Sequence, residues 1–198
     1  MAALPNGPRL LESAVSYALA STRMVTPHLL SRPTPCPGWD LAMLLDHVSD
    51  SADVLHEATS AGSVDTLGPP PGGDPVRQMR GKLTALLAPT AAIGPADRPL
   101  ETSEPGLTAN LVALTGATEI TVHGWDIAAT CGANRPLPPG LATVLLATAP
   151  LLVPPDTRPG LFADPVRLRG PADPGDELLA FLGRRPLRGD FEPSTWSA

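Results

Sequence analysis

The stretch TANLVALTGATEITVHGWDIAATC, residues 108–131, decides the fold. Its apolar residues, Leu111, Val112, Ala113, Leu114, Ala117, Ile120, Val122, Ile127 and Ala128, fall on every side of a helical wheel instead of forming one stripe. A helix that is apolar nearly all round belongs in the middle of a bundle. It should run from about Thr108 to Cys131, with Gly132 as its stop.

Working outward, the flanking segments have helical periodicity too. A first helix is expected over about Pro8 to Val25, with Leu10, Leu11, Val15, Ala18 and Leu19 at core spacing. Thr26-Pro27 then reads as an N-cap and first position of a short turn. A second helix starts near Asp40, which can cap it. Its stripe is Leu41, Leu44, Leu45, Val48, Ala52 and Leu55. A third, about Pro75 to Leu87, carries Val76, Met79, Leu83, Leu86 and Leu87. Beyond the central helix, a fifth spans about Gly140 to Leu152. A short one near Asp173 to Leu182 ends at Gly183. The 26 prolines and 18 glycines gather between these segments, at 67–75, 94–106, 135–140 and 154–175. No strand series, internal repeat or clear boundary between folding units is visible. The expectation is an all-α chain with one helical-bundle domain over 1–186 and a flexible tail at 187–198.

Composition narrows the function classes. At 198 residues, 42% hydrophobic and 17% charged, the chain can bury a sizeable core. Its net charge is −6, with no basic stripe, so no nucleic acid is expected as a partner. Cys36 and Cys131 are too few for a disulfide scaffold, and a reduced, cytoplasmic setting fits them. The start of the chain lacks the basic and apolar regions of a signal peptide. The longest apolar stretch, Leu141 to Val153, contains Pro150 and is too short to span a bilayer, so no membrane is expected either. One lysine, Lys82, stands against thirteen arginines, a bias typical of a GC-rich genome.

The chemistry gathers in the central helix. Glu119 and His123 are four apart and share a face, and Asp126 lies three further on. A carboxylate in so apolar a helix is costly unless it is paired or bound to a metal. Glu and His at this spacing make good metal ligands, although the spacing alone is a weak signal and a plain Glu–His hydrogen bond is its more ordinary reading. His47 borders the core stripe of the second helix and, taken alone, reads as a half-buried, hydrogen-bonded histidine. His56 lies nine residues on and points the opposite way, toward solvent, and His28 sits in the turn after the first helix. Two His and one Glu from packed helices would suit zinc with a position left open. Cys36 precedes the second helix in Thr34-Pro-Cys-Pro-Gly-Trp-Asp40. A helix N-terminus lowers thiol pKa, which suggests a nucleophile. A small packed residue in a proline-fixed turn is the favoured reading. Trp39 and Trp125 are expected as core anchors, and Asp126 as a group that orients His123 or caps a neighbouring loop.

The stretch 34–40, then His47, then Glu119-x-x-x-His123-Gly-Trp-Asp126 resembles the DinB-like metal-binding bundles. These are related to the N-terminal domain of the mycothiol-dependent maleylpyruvate isomerase. Residues 174–186, PGDELLAFLGRRP, resemble the ending of the actinobacterial branch. The resemblance implies a four-helix bundle in up-down-down-up order, with additional C-terminal helices. It also implies a divalent metal, usually zinc, on His47, Glu119 and His123. A low-molecular-weight thiol such as mycothiol is implied as a further cofactor. The isomerase also has an essential arginine between the first ligand and the Glu, to which Arg77 or Arg80 could correspond. The isomerase's extra C-terminal α/β domain has no counterpart in this chain's sequence.

The expected function is therefore a zinc-dependent enzyme that activates a thiol for transfer to, or isomerisation of, an electrophilic small molecule. Arg80 and Asp126 are its candidate catalytic residues, and a homodimer is its candidate assembly. Two alternatives stand beside it: a thiol-independent metal enzyme of specialised metabolism, and a non-catalytic metal-binding module.

Overall fold

The computed structural model describes residues 4–59, 73–92, 108–156, 158 and 162–186. These form six α-helices: α1 (Gly7–Ser21), α2 (Leu41–Thr59), α3 (Pro75–Ala92), α4 (Ala109–Thr130), α5 (Pro139–Leu152) and α6 (Pro174–Phe181). Among the described residues there is no strand, only an isolated antiparallel bridge between Pro33 and Asp40. The expected tail at 187–198 lies outside the described residues.

Local chemistry sets the helix ends. Asn6 caps α1 by accepting from Arg9 N, and Asp40 Oδ1 accepts from Met43 N at 2.9 Å to start α2. Thr108 does the same for α4 toward Leu111 N, and Asp173 for α6 toward Gly175 N and Asp176 N. Gly132, at φ +78, closes α4 in the left-handed conformation that glycine adopts without strain. α1 is shorter than its periodicity suggests. It ends at Ser21, and Thr22–Met24 tighten into a 3₁₀ turn before a second one at Pro27–Leu29.

α4 is the buried centre expected of it. Only Leu111, Val112, Thr115, Glu119 and Ala129 escape full burial. Leu114, Ile120 and Ile127 are wholly inaccessible, each contributing ~2 kcal/mol of apolar burial. The contact register gives the order of the helices. Gly7 N donates to Asn110 Oδ1 at the start of α1 and α4, and a Cβ on Gly124 would meet Ala18 Cα at 3.1 Å near their ends. α1 and α4 therefore run parallel, and closely, because Gly124 carries no side chain. Leu55, late in α2, lies over Gly116, whereas His47, early in α2, reaches Glu119 further along α4. α2 thus runs against α4. Arg80, early in α3, donates to Thr22 just past the end of α1, so α3 runs back along α1. The result is an up-down-down-up bundle.

The chain falls into two compact units, Met1–Arg135 and Pro136–Ala198, within the span read from sequence as one domain. The division lies in the Pro/Gly cluster at 135–140. The first unit holds α1–α4. In the second, α5 packs on α6, and the Arg158 guanidinium lies 4.8 Å over the Phe181 ring while donating to Ala163 O. No helix among the described residues is long and apolar enough to cross a membrane.

Candidate metal centre

Glu119, His123 and Asp126 occupy one face of α4, at i, i+4 and i+7. Their side-chain exposure falls along that face from 27% through 8% to nothing. α2 brings His47 to the outer end. Its Nε2 lies 2.7 Å from Glu119 Oε1, and His123 Nε2 lies 3.1 Å from the same oxygen. On the other edge of the His123 ring, Nδ1 lies 2.9 Å from Asp126 Oδ2. The two imidazoles meet edge to face, with centroids 5.0 Å apart.

Burial and hydrogen bonding oppose one another here. Burial pushes the Glu119 carboxyl up, but hydrogen bonds and charge from His123 and His47 outweigh it and hold the group well below its usual range. Burial likewise disfavours a charged His123. Its hydrogen bonds to Asp126, Cys36 and Glu119 reverse that and raise its pKa well above 6.5. A carboxylate oxygen only accepts, so a ring facing one at each nitrogen is held as the imidazolium. Tyr17, beside Gly124, is pushed up to about 12 by burial, against the lowering effect of Arg135, and so remains a phenol.

One short turn delivers two more side chains. Trp39 N donates to Cys36 O at 3.1 Å, with Pro37 and Gly38 between them and Gly38 at φ +80. That is a type II turn, which wants proline and then a residue with positive φ. Thr34 braces it: its Oγ1 accepts from Cys36 N and donates to Trp39 O. Leu41 N and Ala42 N donate back to Arg32 O and Leu30 O, tying the turn to the start of α2. The Trp39 ring packs against His47 at 4.7 Å and His123 at 6.3 Å between centroids. Cys36 points inward, with Sγ 3.4 Å from Asp126 Oδ2 and 3.9 Å from His123 Nδ1.

Two overlapping donor sets result. His47, Glu119 and His123 form one, and Cys36, His123 and Asp126 the other, with the ligand atoms of each within 4.8 Å of one another. The first set suits a divalent metal. Four-coordinate zinc spaces nitrogen and oxygen ligands about 3.3 Å apart, so the 2.7 and 3.1 Å separations on Glu119 would open by about 0.6 and 0.2 Å to admit the ion. His123 Nδ1 on Asp126 is also the outer support that a metal-ligating histidine usually has.

The family model described as the mycothiol maleylpyruvate isomerase N-terminal domain matches residues 11–128. The chain belongs to this family. The match spans every side chain of both donor sets and stops before Cys131 and the second unit. Two uncharacterized proteins of Mycobacterium tuberculosis, Rv0738 and MT0763, are each 30% identical over 168 residues, covering 78% of this chain and 85% of the relative. No solved structure matches significantly.

The family's bundle brings His47, Glu119, His123 and Asp126 together, as the sequence suggested they could be. Arg80 stands apart. It is half-buried and donates to Thr22 Oγ1 at 3.0 Å, with no hydrogen bond or ion pair to the cluster. His28 is exposed in its 3₁₀ turn, and His56 is half-buried and outside both donor sets. Trp125 is a core anchor at 4% exposure. Trp39 is not: it is half-buried and forms a wall of the site, because the type II turn swings it over α2. Cys36 does pack in a rigid turn, but against the acid that supports His123. Its partners lie 87 and 90 residues away, and only its place just before the ligand-bearing helix hinted at them.

Proposed function

We propose that this protein is a zinc-dependent enzyme that activates a low-molecular-weight thiol of the mycothiol type for transfer to, or isomerisation of, an electrophilic small molecule. The carrying observation is the convergence of His47 Nε2 and His123 Nε2 on one Glu119 oxygen from two helices. Three protein ligands are the pattern of catalytic zinc sites, whereas structural sites usually have four. When bound, the metal supplies the positive charge that lowers the pKa of a coordinated thiol.

The chain's own residues have definite parts in this reading. His47, Glu119 and His123 hold the ion. Asp126 accepts from His123 Nδ1, which fixes the tautomer and leaves Nε2 for the metal. Trp39 covers both imidazoles and limits water at the ring faces. Neither Cys36 nor Cys131 is in a disulfide, which accords with a reduced cytoplasmic setting. The family's printed description supports mycothiol as the thiol.

Calorimetric titration of zinc-loaded protein with mycothiol, beside the metal-free form, tests the reading. Tighter binding to the loaded form is expected. Binding that is absent, or equal with and without zinc, refutes the thiol step and leaves a thiol-independent metal enzyme.

A further inference from the structure

We propose that Cys36 is a positioning residue of this centre: its thiol donates to Asp126 Oδ2 and holds that carboxylate where it orients His123. The inference rests on the metal reading above, but concerns a side chain outside the ligand set.

Asp126 is completely buried, so its carboxylate must be satisfied by donors inside the protein. Two converge on the same oxygen, His123 Nδ1 at 2.9 Å and Cys36 Sγ at 3.4 Å. The thiol therefore bears on the atom that fixes the imidazole. It lies on the Nδ1 edge of the ring, 3.9 Å away, whereas Nε2 on the opposite edge faces Glu119. An ion held at Nε2 has the imidazole between itself and the sulfur, so Cys36 is not a fourth ligand to it. In its contact with Asp126 the sulfur is the donor and the carboxylate oxygen the acceptor.

The backbone keeps the thiol there. Cys36 opens the type II turn that Thr34 braces, and Pro35 and Pro37 flank it. Swinging the sulfur away means breaking the turn. Removing it takes one donor from Asp126 and loosens the support of His123. Loss of an outer partner of a metal-bound histidine typically weakens metal binding ~10–100-fold. Cys36 acts one bond further out, so the low end of that range, about tenfold, is expected.

Cobalt(II) is the probe, because its d–d bands report ligand geometry and a thiolate ligand adds a near-ultraviolet charge-transfer band. Wild-type protein, Cys36→Ala, Cys36→Ser, Asp126→Asn and the Cys36→Ala/Asp126→Asn double variant are titrated in parallel, with thermal melts of the metal-free forms. The expected result has four parts. The wild type binds cobalt with no thiolate band. Cys36→Ala weakens binding about tenfold and shifts the d–d bands. Cys36→Ser, whose hydroxyl still donates, restores both. The double variant loses no more than Asp126→Asn alone, since both changes break one chain of contacts. Unchanged affinity and spectrum in Cys36→Ala overturn the proposal, even if its melting point falls. So does a wild-type thiolate band that Cys36→Ala abolishes, because Cys36 would then be a ligand. If Cys36→Ala does not fold, Cys36→Ser and Asp126→Asn decide: weakening in Asp126→Asn alone supports the proposal, and weakening in both or neither overturns it. Failure of the wild type to bind cobalt refutes the metal reading itself.

Discussion

Metal uptake should displace a proton from His123, and the structure sets the size of the effect. In the metal-free protein both ring nitrogens face carboxylate oxygens, Nε2 toward Glu119 at 3.1 Å and Nδ1 toward Asp126 at 2.9 Å. With its pKa raised well above 6.5, His123 carries both protons at neutral pH, while Glu119 is already ionised. A metal at Nε2 needs that lone pair, so one proton must leave per ion from this residue. Zinc affinity should then rise about tenfold per pH unit, ~1.4 kcal/mol, until the raised pKa is passed. The rise runs from pH 6 up to the raised pKa. Calorimetry in buffers of different ionisation enthalpy counts the protons directly. A count near zero, or an affinity flat across that interval, would refute the placement of the His123 protons. Metal-free stability has the matching signs. The His123 contribution is complete below its unfolded pKa near 6.5 and fades as pH rises through the raised folded value. The Glu119 contribution is complete above its unfolded value near 4.5 and fades as pH falls through the depressed one.

Further outcomes follow from the same geometry. His47→Ala, Glu119→Ala and His123→Ala should each strip most of the bound metal while His56→Ala retains it; elemental analysis of the purified variants decides, and full retention in His123→Ala would remove the site. Gly124→Val should destabilise the fold by ~2–3 kcal/mol in chemical denaturation, because a Cβ would stand 3.1 Å from Ala18 Cα, a backbone atom that cannot step aside. Wild-type stability there would mean that α1 and α4 are less closely packed. Thr121→Val should raise stability by about 1 kcal/mol, since the buried Thr121 hydroxyl has no hydrogen-bond partner among the described residues; a lower melting temperature would show that it has one.

Most of the fold was legible because its signals are local. The apolar girth of α4, the stripe of α2, and Asp40 at the head of α2 are all written in neighbouring residues, and the helices fall within a few residues of their expected ends. The exceptions have physical reasons. At Thr22–Met24 the backbone tightens into a 3₁₀ turn, and α3 runs on to Ala92, past its last buried leucine at Leu86. That Glu119, His123 and Asp126 share one face of α4 was legible from spacing alone. His47 was not, since a half-buried histidine looks the same whether or not a partner faces it, and family resemblance was needed to choose. Cys36 packs in its rigid turn as expected but with partners that were not foreseen, and Trp39 lies half-buried instead of in the core. Their surroundings depend on how one turn lies against a helix some 87 residues later, and no periodicity carries that.

The graded exposure of Glu119, His123 and Asp126 gives the centre a wet end and a dry end. The two ends differ in what surrounds them: among the described residues of the centre, His47 and Glu119 meet solvent, while Asp126 is wholly enclosed. A substitution at the outer rim would act on the groups that meet solvent, and one at the inner end on the enclosed support of His123.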